Sequence, residues 1–170
     1  MDVERREAVP RLVPAAALAR AVAAALDAAG APAPASIGLI LSGDAELGEL
    51  NADHMGKVGP TDVLSFPLLP PAAFPPHTGK APAPLAAGSA DSFVLPPGAR
   101  PHLGDIVVSV ERAIEQAAAG RGGQTGDVRW DAGDELRLLV THGTLHVCGW
   151  DHAEPVEEAA MRELERRLLG

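Results

Sequence analysis

Aromatic residues and cysteine are scarce in this sequence. Among 170 residues there is no tyrosine, and phenylalanine and tryptophan together make up only 3% of the chain. The single cysteine, Cys148, excludes an internal disulfide and fits a reducing compartment. The hydrophobic fraction of 46% is nevertheless ordinary for a globular protein. We therefore expect one folded unit whose core is built from alanine, leucine, valine and isoleucine.

Basic residues are also few, with 14 lysines and arginines against 23 acidic residues and a net charge of −9. Proteins held to nucleic acid by bulk charge carry clustered basic side chains, so the composition excludes that mode of binding. Long apolar runs are missing too, which argues against a membrane span, and charged residues interrupt the alanine-rich N-terminus where a secretory signal needs an unbroken apolar stretch. These absences predict a soluble, cytoplasmic protein with no membrane partner.

Proline, in contrast, is abundant and local. Ten of the 16 prolines lie between Pro67 and Pro101, in a stretch with few charges and no period of 2 or 3.6 residues. A structureless segment of that length is unusual inside a compact domain, although loop-closure entropy grows slowly enough to tolerate it. We interpret residues 68–102 as a Pro/Ala-rich surface insertion, disordered or loosely packed, in a single domain that spans residues 1–170.

The rest of the chain alternates helical and strand patterns. Glycine stops, proline boundaries and apolar spacing predict helices over residues 15–29, 44–53, 111–119, 134–148 and 155–169. Short apolar runs bounded by turn residues predict strands over residues 36–42, 63–66 and 103–110, and the glycine-rich residues 120–126 form a linker. Strands alternating with helices indicate a mixed layer architecture of α-helices and β-strands.

Three of the six histidines lie within eleven residues of one another. His142 and His146 are four residues apart, so on a helix their rings share one face and can bind one metal ion. Gly149 can end the helix and turn the chain back, which lets His152 reach the same ion. Three imidazoles leave a fourth tetrahedral position for water, as in catalytic zinc sites rather than closed structural ones.

Each neighbouring residue also has a structural interpretation. Cys148 falls on the far side of the helix and is predicted to be a small core side chain. Asp131 and Asp134 are predicted to cap the helix start rather than act in catalysis. Trp150 either walls the site or packs, and both alternatives stay open. The buried stripe of the helix is predicted to comprise Leu136, Leu139, Val140 and Val147.

The histidine spacing matches that of zinc peptidases with a third histidine after a glycine. Those enzymes have a glutamate directly after the first histidine as general base, and here that residue is Gly143. Peptide hydrolysis by that mechanism is therefore disfavoured, because the metal-binding template is present and the base is absent.

Taken together, four segments of the sequence resemble the YbeY endoribonucleases, also described as ribosomal RNA maturation factors. They occur in the family's order and span most of the chain outside the insertion. The proline–threonine–aspartate and histidine blocks are highly specific to that family. The segments are Leu50-Asn51, Gly59-Pro60-Thr61-Asp62-Val63-Leu64-Ser65-Phe66-Pro67, Leu103-Gly104-Asp105-Ile106-Val107, and Thr141-His142-Gly143-Thr144-Leu145-His146 with Gly149-Trp150-Asp151-His152.

The resemblance implies a zincin-like α+β fold, in which a small mixed sheet packs with helices and a C-terminal helix carries the metal site. It implies one Zn²⁺ per chain on His142, His146 and His152. The implied activity is single-strand-specific RNA cleavage in 16S ribosomal RNA 3′-end maturation, with ribosomal RNA and the small ribosomal subunit or its associated factors as partners. Zinc-bound hydroxide and the RNA 2′-hydroxyl both stay open as nucleophile.

Asp151 and Lys57 are two further candidates for the site. Asp151 either orients a histidine or caps the last helix, with equal weight. Family members typically carry an arginine at the position of Met55, facing the metal cleft, and nearby Lys57 is a candidate replacement without the bidentate geometry of a guanidinium. The other interpretation of Lys57 is that it is an ordinary solvated lysine. The alternative function is therefore a ribosome-associated RNA-binding factor with a mainly structural zinc and marginal nuclease activity.

Overall fold

The computed structural model describes residues 1–6, 8–77, 100–120 and 130–170. Its strands are β1 (Asp2–Arg5), β2 (Ser36–Ser42), β3 (Val63–Pro67) and β4 (His102–Ser109). Its α-helices are α1 (Ala15–Ala28), α2 (Asp44–Met55), α3 (Val110–Ala118), α4 (Ala132–Val147) and α5 (Pro155–Leu169). None of the helices in these ranges has the length and apolarity that a membrane crossing requires.

The four strands form one mixed sheet in the order β1-β2-β4-β3. Strands β1, β2 and β4 run parallel, and β3 runs antiparallel to β4 at the edge. The central strand β4 pairs Val107 with Ile40 on one side and with Leu64 on the other. This arrangement confirms the predicted α+β fold with a small mixed sheet.

Helix α4 packs on one face of the sheet and carries the stripe that the sequence predicted. Leu136, Leu139, Val140 and Val147 are all buried, and they belong to the same core cluster as Ile106 of β4. Burying each such side chain contributes about 1.5–3 kcal/mol to folding. The position of α4 on the sheet is therefore fixed by its apolar face.

The start of α4 confirms the predicted cap. The carboxylate of Asp131 accepts hydrogen bonds from the backbone N–H groups of Gly133 and Asp134, at 2.8 and 2.9 Å. The Asp134 carboxylate in turn accepts from the backbone N–H of Asp131, which completes a capping box. Because the cap lies at Asp131, the helix begins two residues earlier than the sequence analysis placed it.

Strand β1 was missed by the sequence analysis. Its residues are Asp2, Val3, Glu4 and Arg5, of which only Val3 is apolar, so there is no alternating pattern to find. Backbone pairing with β2 forms this edge strand. The strand thus depends on a long-range partner rather than on its own sequence.

The segment after β3 differs from the expectation of loose packing. Its first ten residues are described, and they include a 3₁₀ helix over Pro71–Ala73 followed by Phe74, which is only 6% exposed. Phe74 shares a core cluster with Cys148 and Met161. The remainder, residues 78–99, lies outside the described ranges, as does most of the predicted linker, residues 121–126.

Candidate metal centre

The three histidines of the sequence motif meet at one point. His142 and His146 lie one turn apart on α4, and His152 lies in the loop that leads to α5. One ring nitrogen from each histidine lies within 4.8 Å of the others. The Nε2 atoms of His142 and His146 are 3.0 Å apart. The predicted grouping of the three side chains is therefore present in the fold.

Hydrogen bonds on the opposite side orient two of the rings. The Nδ1 atom of His146 lies 2.9 Å from the backbone carbonyl oxygen of Trp150. The Nδ1 atom of His142 lies 2.7 Å from Oε1 of Glu165. Both partners are acceptors, so in the neutral rings Nδ1 carries the proton and Nε2 keeps its lone pair. The two lone pairs face the point where the histidines meet.

This donor set fits a divalent metal ion. Zinc–nitrogen distances of about 2.0–2.1 Å in a tetrahedral site separate two ligand nitrogens by roughly 3.3 Å, close to the observed Nε2 separation. Burial, together with repulsion from His142 and His152, lowers the pKa of His146 to about 4. The imidazole of His146 is therefore neutral at physiological pH, as metal binding requires.

A glycine turn brings the third histidine back to the pair. Gly149 has φ 82°, in the left-handed region that terminates helices. Its N–H donates to the carbonyl oxygen of His146, and the N–H of Trp150 donates to that of Leu145, both at 3.0 Å. The turn directs the Trp150 carbonyl towards His146 and carries the chain on to His152, as the spacing predicted.

The three histidines line a cleft of about 690 Å³. Met55, Lys57, Trp150 and Asp151 also line this cleft. Among the described residues, Lys57 is the only lysine or arginine that lines the cleft. Met55 is 48% exposed and occupies the position where the resemblance implies an arginine.

Asp151 and Trp150 lie in the turn that leads to His152, and their contacts bear on the interpretations given above. Asp151 accepts a hydrogen bond from the backbone N–H of His152 at 2.8 Å, whereas Glu154 caps α5. The capping alternative for Asp151 is therefore wrong. Trp150 both lines the cleft and packs, because its ring stacks on His77 with centroids 4.2 Å apart and planes 9° from parallel.

Cys148 is confirmed as a core residue. Its side chain is fully buried, and burial raises the pKa of its thiol to about 12. A thiol with so high a pKa is neither a nucleophile nor a ready metal ligand at neutral pH.

The sequence analysis missed Glu165, the carboxylate that contacts His142. A charged residue on the polar C-terminal helix is expected to be exposed to solvent, yet the Glu165 side chain is only 5% exposed. One signal was available, since Glu165 follows Met161 by four residues and Leu164 by one, and both of these are buried. A glutamate at that spacing lies at the edge of the buried face of the helix.

The fold and the site together define an α+β protein with a three-histidine centre in an open cleft, and comparisons with known proteins identify its family. The family model described as Endoribonuclease YbeY matches residues 5–170. An Endoribonuclease YbeY of Roseiflexus castenholzii is 36% identical over 171 residues, covering all of this chain and 91% of the relative. That of Salinispora tropica is 38% identical over 146 residues, covering 86% and 80% of the two chains.

The chain therefore belongs to the YbeY endoribonuclease family, whose members are nucleases and thus hydrolases. A solved structure supports the fold. The solution structure of a Thermotoga maritima protein aligns with a TM-score of 0.50 at 21% identity, covering 98% of this chain and 86% of that one.

Proposed function

We propose that this protein is a zinc-dependent, single-strand-specific endoribonuclease that acts in 16S ribosomal RNA 3′-end maturation and ribosome biogenesis. The observation that carries the proposal is the convergence of His142, His146 and His152 in an open cleft. Family membership supports RNA as the substrate class. We assign one zinc ion per chain to the three histidines.

The chemistry divides between the ion and the chain. A zinc ion, when bound, supplies Lewis-acid polarisation of a phosphoryl oxygen and activates water near neutral pH. His142, His146 and His152 would hold the ion through their ring nitrogens. Lys57 lines the same cleft, and we propose that it contacts an RNA phosphate. Asp151 fixes the backbone of His152 by its hydrogen bond and so orients the third ligand.

The size of the cleft favours an unpaired strand. A volume of about 690 Å³ lies within the range of roughly 300–1,000 Å³ that encloses small ligands. An unpaired nucleotide can enter such a cleft and bring its phosphate to the histidines, whereas a duplex holds its bases stacked outside. Single-strand preference thus follows from shape rather than from base recognition.

The acidic net charge of the chain limits how it can bind RNA. With a net charge of −9 and Lys57 as the only cation among the described lining residues, the chain has little electrostatic attraction for RNA. We propose that contacts inside the cleft, together with the small ribosomal subunit or an associated factor, supply the remaining affinity. We also propose a cytoplasmic location and a single domain over residues 1–170 with the insertion at 68–102; the family match over residues 5–170 supports the single domain.

A second candidate function rests on Met55 and the net charge. Without the arginine that the resemblance implies at this position, the chain fits a ribosome-associated RNA-binding factor whose zinc is mainly structural. Changing Met55 to arginine distinguishes the two functions. A large gain in RNA cleavage by Met55→Arg would favour the marginal nuclease, and unchanged cleavage would favour a catalyst that relies on Lys57.

The direct test is cleavage of a single-stranded RNA and of the same sequence in a duplex. The wild-type protein should cut only the single strand, and His146→Ala should lose that activity. His54→Ala is the matched control, because His54 is exposed on α2 and does not line the cleft. Undiminished cleavage by His146→Ala would exclude the proposed metal-dependent mechanism.

A further inference from the structure

Glu165 is a buried carboxylate contributed by the last helix to the histidine cluster. Its Oε1 atom lies 2.7 Å from Nδ1 of His142, with the side chains of the two residues 5% and 14% exposed. The contact joins α5 to α4 across 23 residues of sequence. A carboxylate removed from water is costly unless it accepts good hydrogen bonds. The Glu165 carboxylate is therefore held in place by the imidazole that it contacts.

The surroundings of Glu165 direct its carboxylate to His142. Its helix neighbours Met161 and Leu164 are buried in an apolar cluster. Arg162, on the same helix, pairs with Glu158 at 2.5 Å. Arg162 and Glu158 both line a cavity of about 150 Å³, together with His142 and Glu165. Arg162 is thus paired with Glu158, whereas the Glu165 carboxylate contacts His142.

The three histidines differ in how they are fixed. His146 is held by a backbone carbonyl of its own turn, at Trp150. His152 is exposed, and its backbone N–H donates a hydrogen bond to the carboxylate of Asp151. The ring of His142, in contrast, depends on a side chain from a separate helix. Carboxylate partners of this kind fix the tautomer and the ring orientation of a metal-binding histidine.

We propose that Glu165 is the positioning residue for His142, and that zinc binding consequently stabilises the docking of α5 on α4. This inference rests on the proposed function, because it takes the three histidines to be the metal ligands. The coupling is reciprocal: a helix that holds a ligand in its binding geometry gains stability when the ion binds. The C-terminal helix is therefore part of the metal centre.

The test measures zinc affinity by competition with a chromophoric chelator, in the absence of RNA. Glu165→Ala is expected to bind zinc about 10–100-fold more weakly than wild type. Glu165→Gln retains an acceptor oxygen for Nδ1–H and is expected to lose less than the alanine variant. Glu163→Ala is the control, because the Glu163 side chain is 64% exposed and pairs with Arg166 on the same helix; its affinity should match wild type.

A second readout reports on the helix itself. In wild type, adding zinc should slow hydrogen exchange of the α5 amides, and this slowing should disappear in Glu165→Ala while persisting in Glu163→Ala. If Glu165→Ala does not fold, Glu165→Gln carries the comparison. Wild-type zinc affinity together with unchanged zinc-dependent protection of α5 in the Glu165 variants would overturn the positioning role and leave the nuclease proposal intact. Failure of the wild-type protein to bind zinc would overturn both.

Discussion

Gly143 on α4 packs directly against Ile106 of β4. A Cβ atom at position 143 would lie 2.7 Å from Cγ2 of Ile106 and 2.9 Å from Cγ2 of Val63. The hydroxyl of Ser65 also donates a hydrogen bond to the Gly143 carbonyl oxygen at 3.0 Å. The residue after the first histidine therefore faces the sheet, not the cleft. A side chain at this position would have to displace Ile106 or Val63, so the close packing of α4 on the sheet requires glycine here.

This packing predicts that Gly143→Ala is destabilising. The new methyl group must displace Ile106 or Val63, which costs about 1–3 kcal/mol of unfolding free energy. Gly48→Ala on α2 is the control, because its nearest neighbour would be 3.7 Å away and alanine is the better helix former. Denaturant unfolding measures the free energy of unfolding of both variants. A Gly143→Ala protein as stable as Gly48→Ala would contradict the close approach of α4 to the sheet.

The ion pair between Arg6 and Glu46 predicts how the free energy of unfolding depends on pH. Arg6 contacts both carboxylate oxygens of Glu46 on α2, at 2.6 and 2.9 Å, just beyond β1. The Arg6 hydrogen bond, with one from Ser42, lowers the pKa of Glu46 from 4.5 to about 2. Because the folded-state pKa is lowered, this stabilisation is complete above pH 4.5 and is lost as the pH falls towards 2.

Glu46→Gln should accordingly be less stable than wild type at neutral pH and should lose less stability between pH 4.5 and 2. Thermal unfolding across that range measures the difference. The exposed Glu49→Gln on the same helix is the control and should follow the wild-type profile. Parallel pH profiles for wild type and Glu46→Gln would show that the Arg6 contact contributes nothing to folding.

The proposed phosphate contact of Lys57 predicts a change in salt dependence. Removing one phosphate contact should weaken binding of a single-stranded RNA and reduce the slope of log affinity against log salt by about 0.7. Lys57→Gln and the exposed control Arg20→Gln on α1 can be compared by fluorescence anisotropy with an uncleavable oligonucleotide. An unchanged slope for Lys57→Gln would identify Lys57 as an ordinary solvated lysine.

Local features of the sequence were sufficient to predict the histidine cluster. The four-residue spacing of His142 and His146 fixes their shared helix face, and Gly149 fixes the turn that returns His152. Residues 36–42 and 155–169 match strand β2 and helix α5 at both ends. These elements follow from short-range sterics and periodicity, which a single sequence displays.

Features that depend on distant partners were not predictable in this way. Strand β1 exists because β2 offers it backbone hydrogen bonds, and Phe74 is buried because α4 and α5 leave room for it. Glu165 acquires its contact only when α5 docks beside His142. In each case the residues adjacent in sequence do not indicate which distant segment will be the contact partner.

Metal removal and return tests the central claim most directly. Zinc content and cleavage of a single-stranded RNA should be measured on the same preparations of wild type, His146→Ala and His54→Ala, before and after chelation and zinc addition. We expect about one zinc per chain and zinc-restorable cleavage in wild type and His54→Ala, with both lost in His146→Ala. RNA cleavage that persists in zinc-free wild type, or in His146→Ala, would contradict a catalytic role for the three-histidine centre.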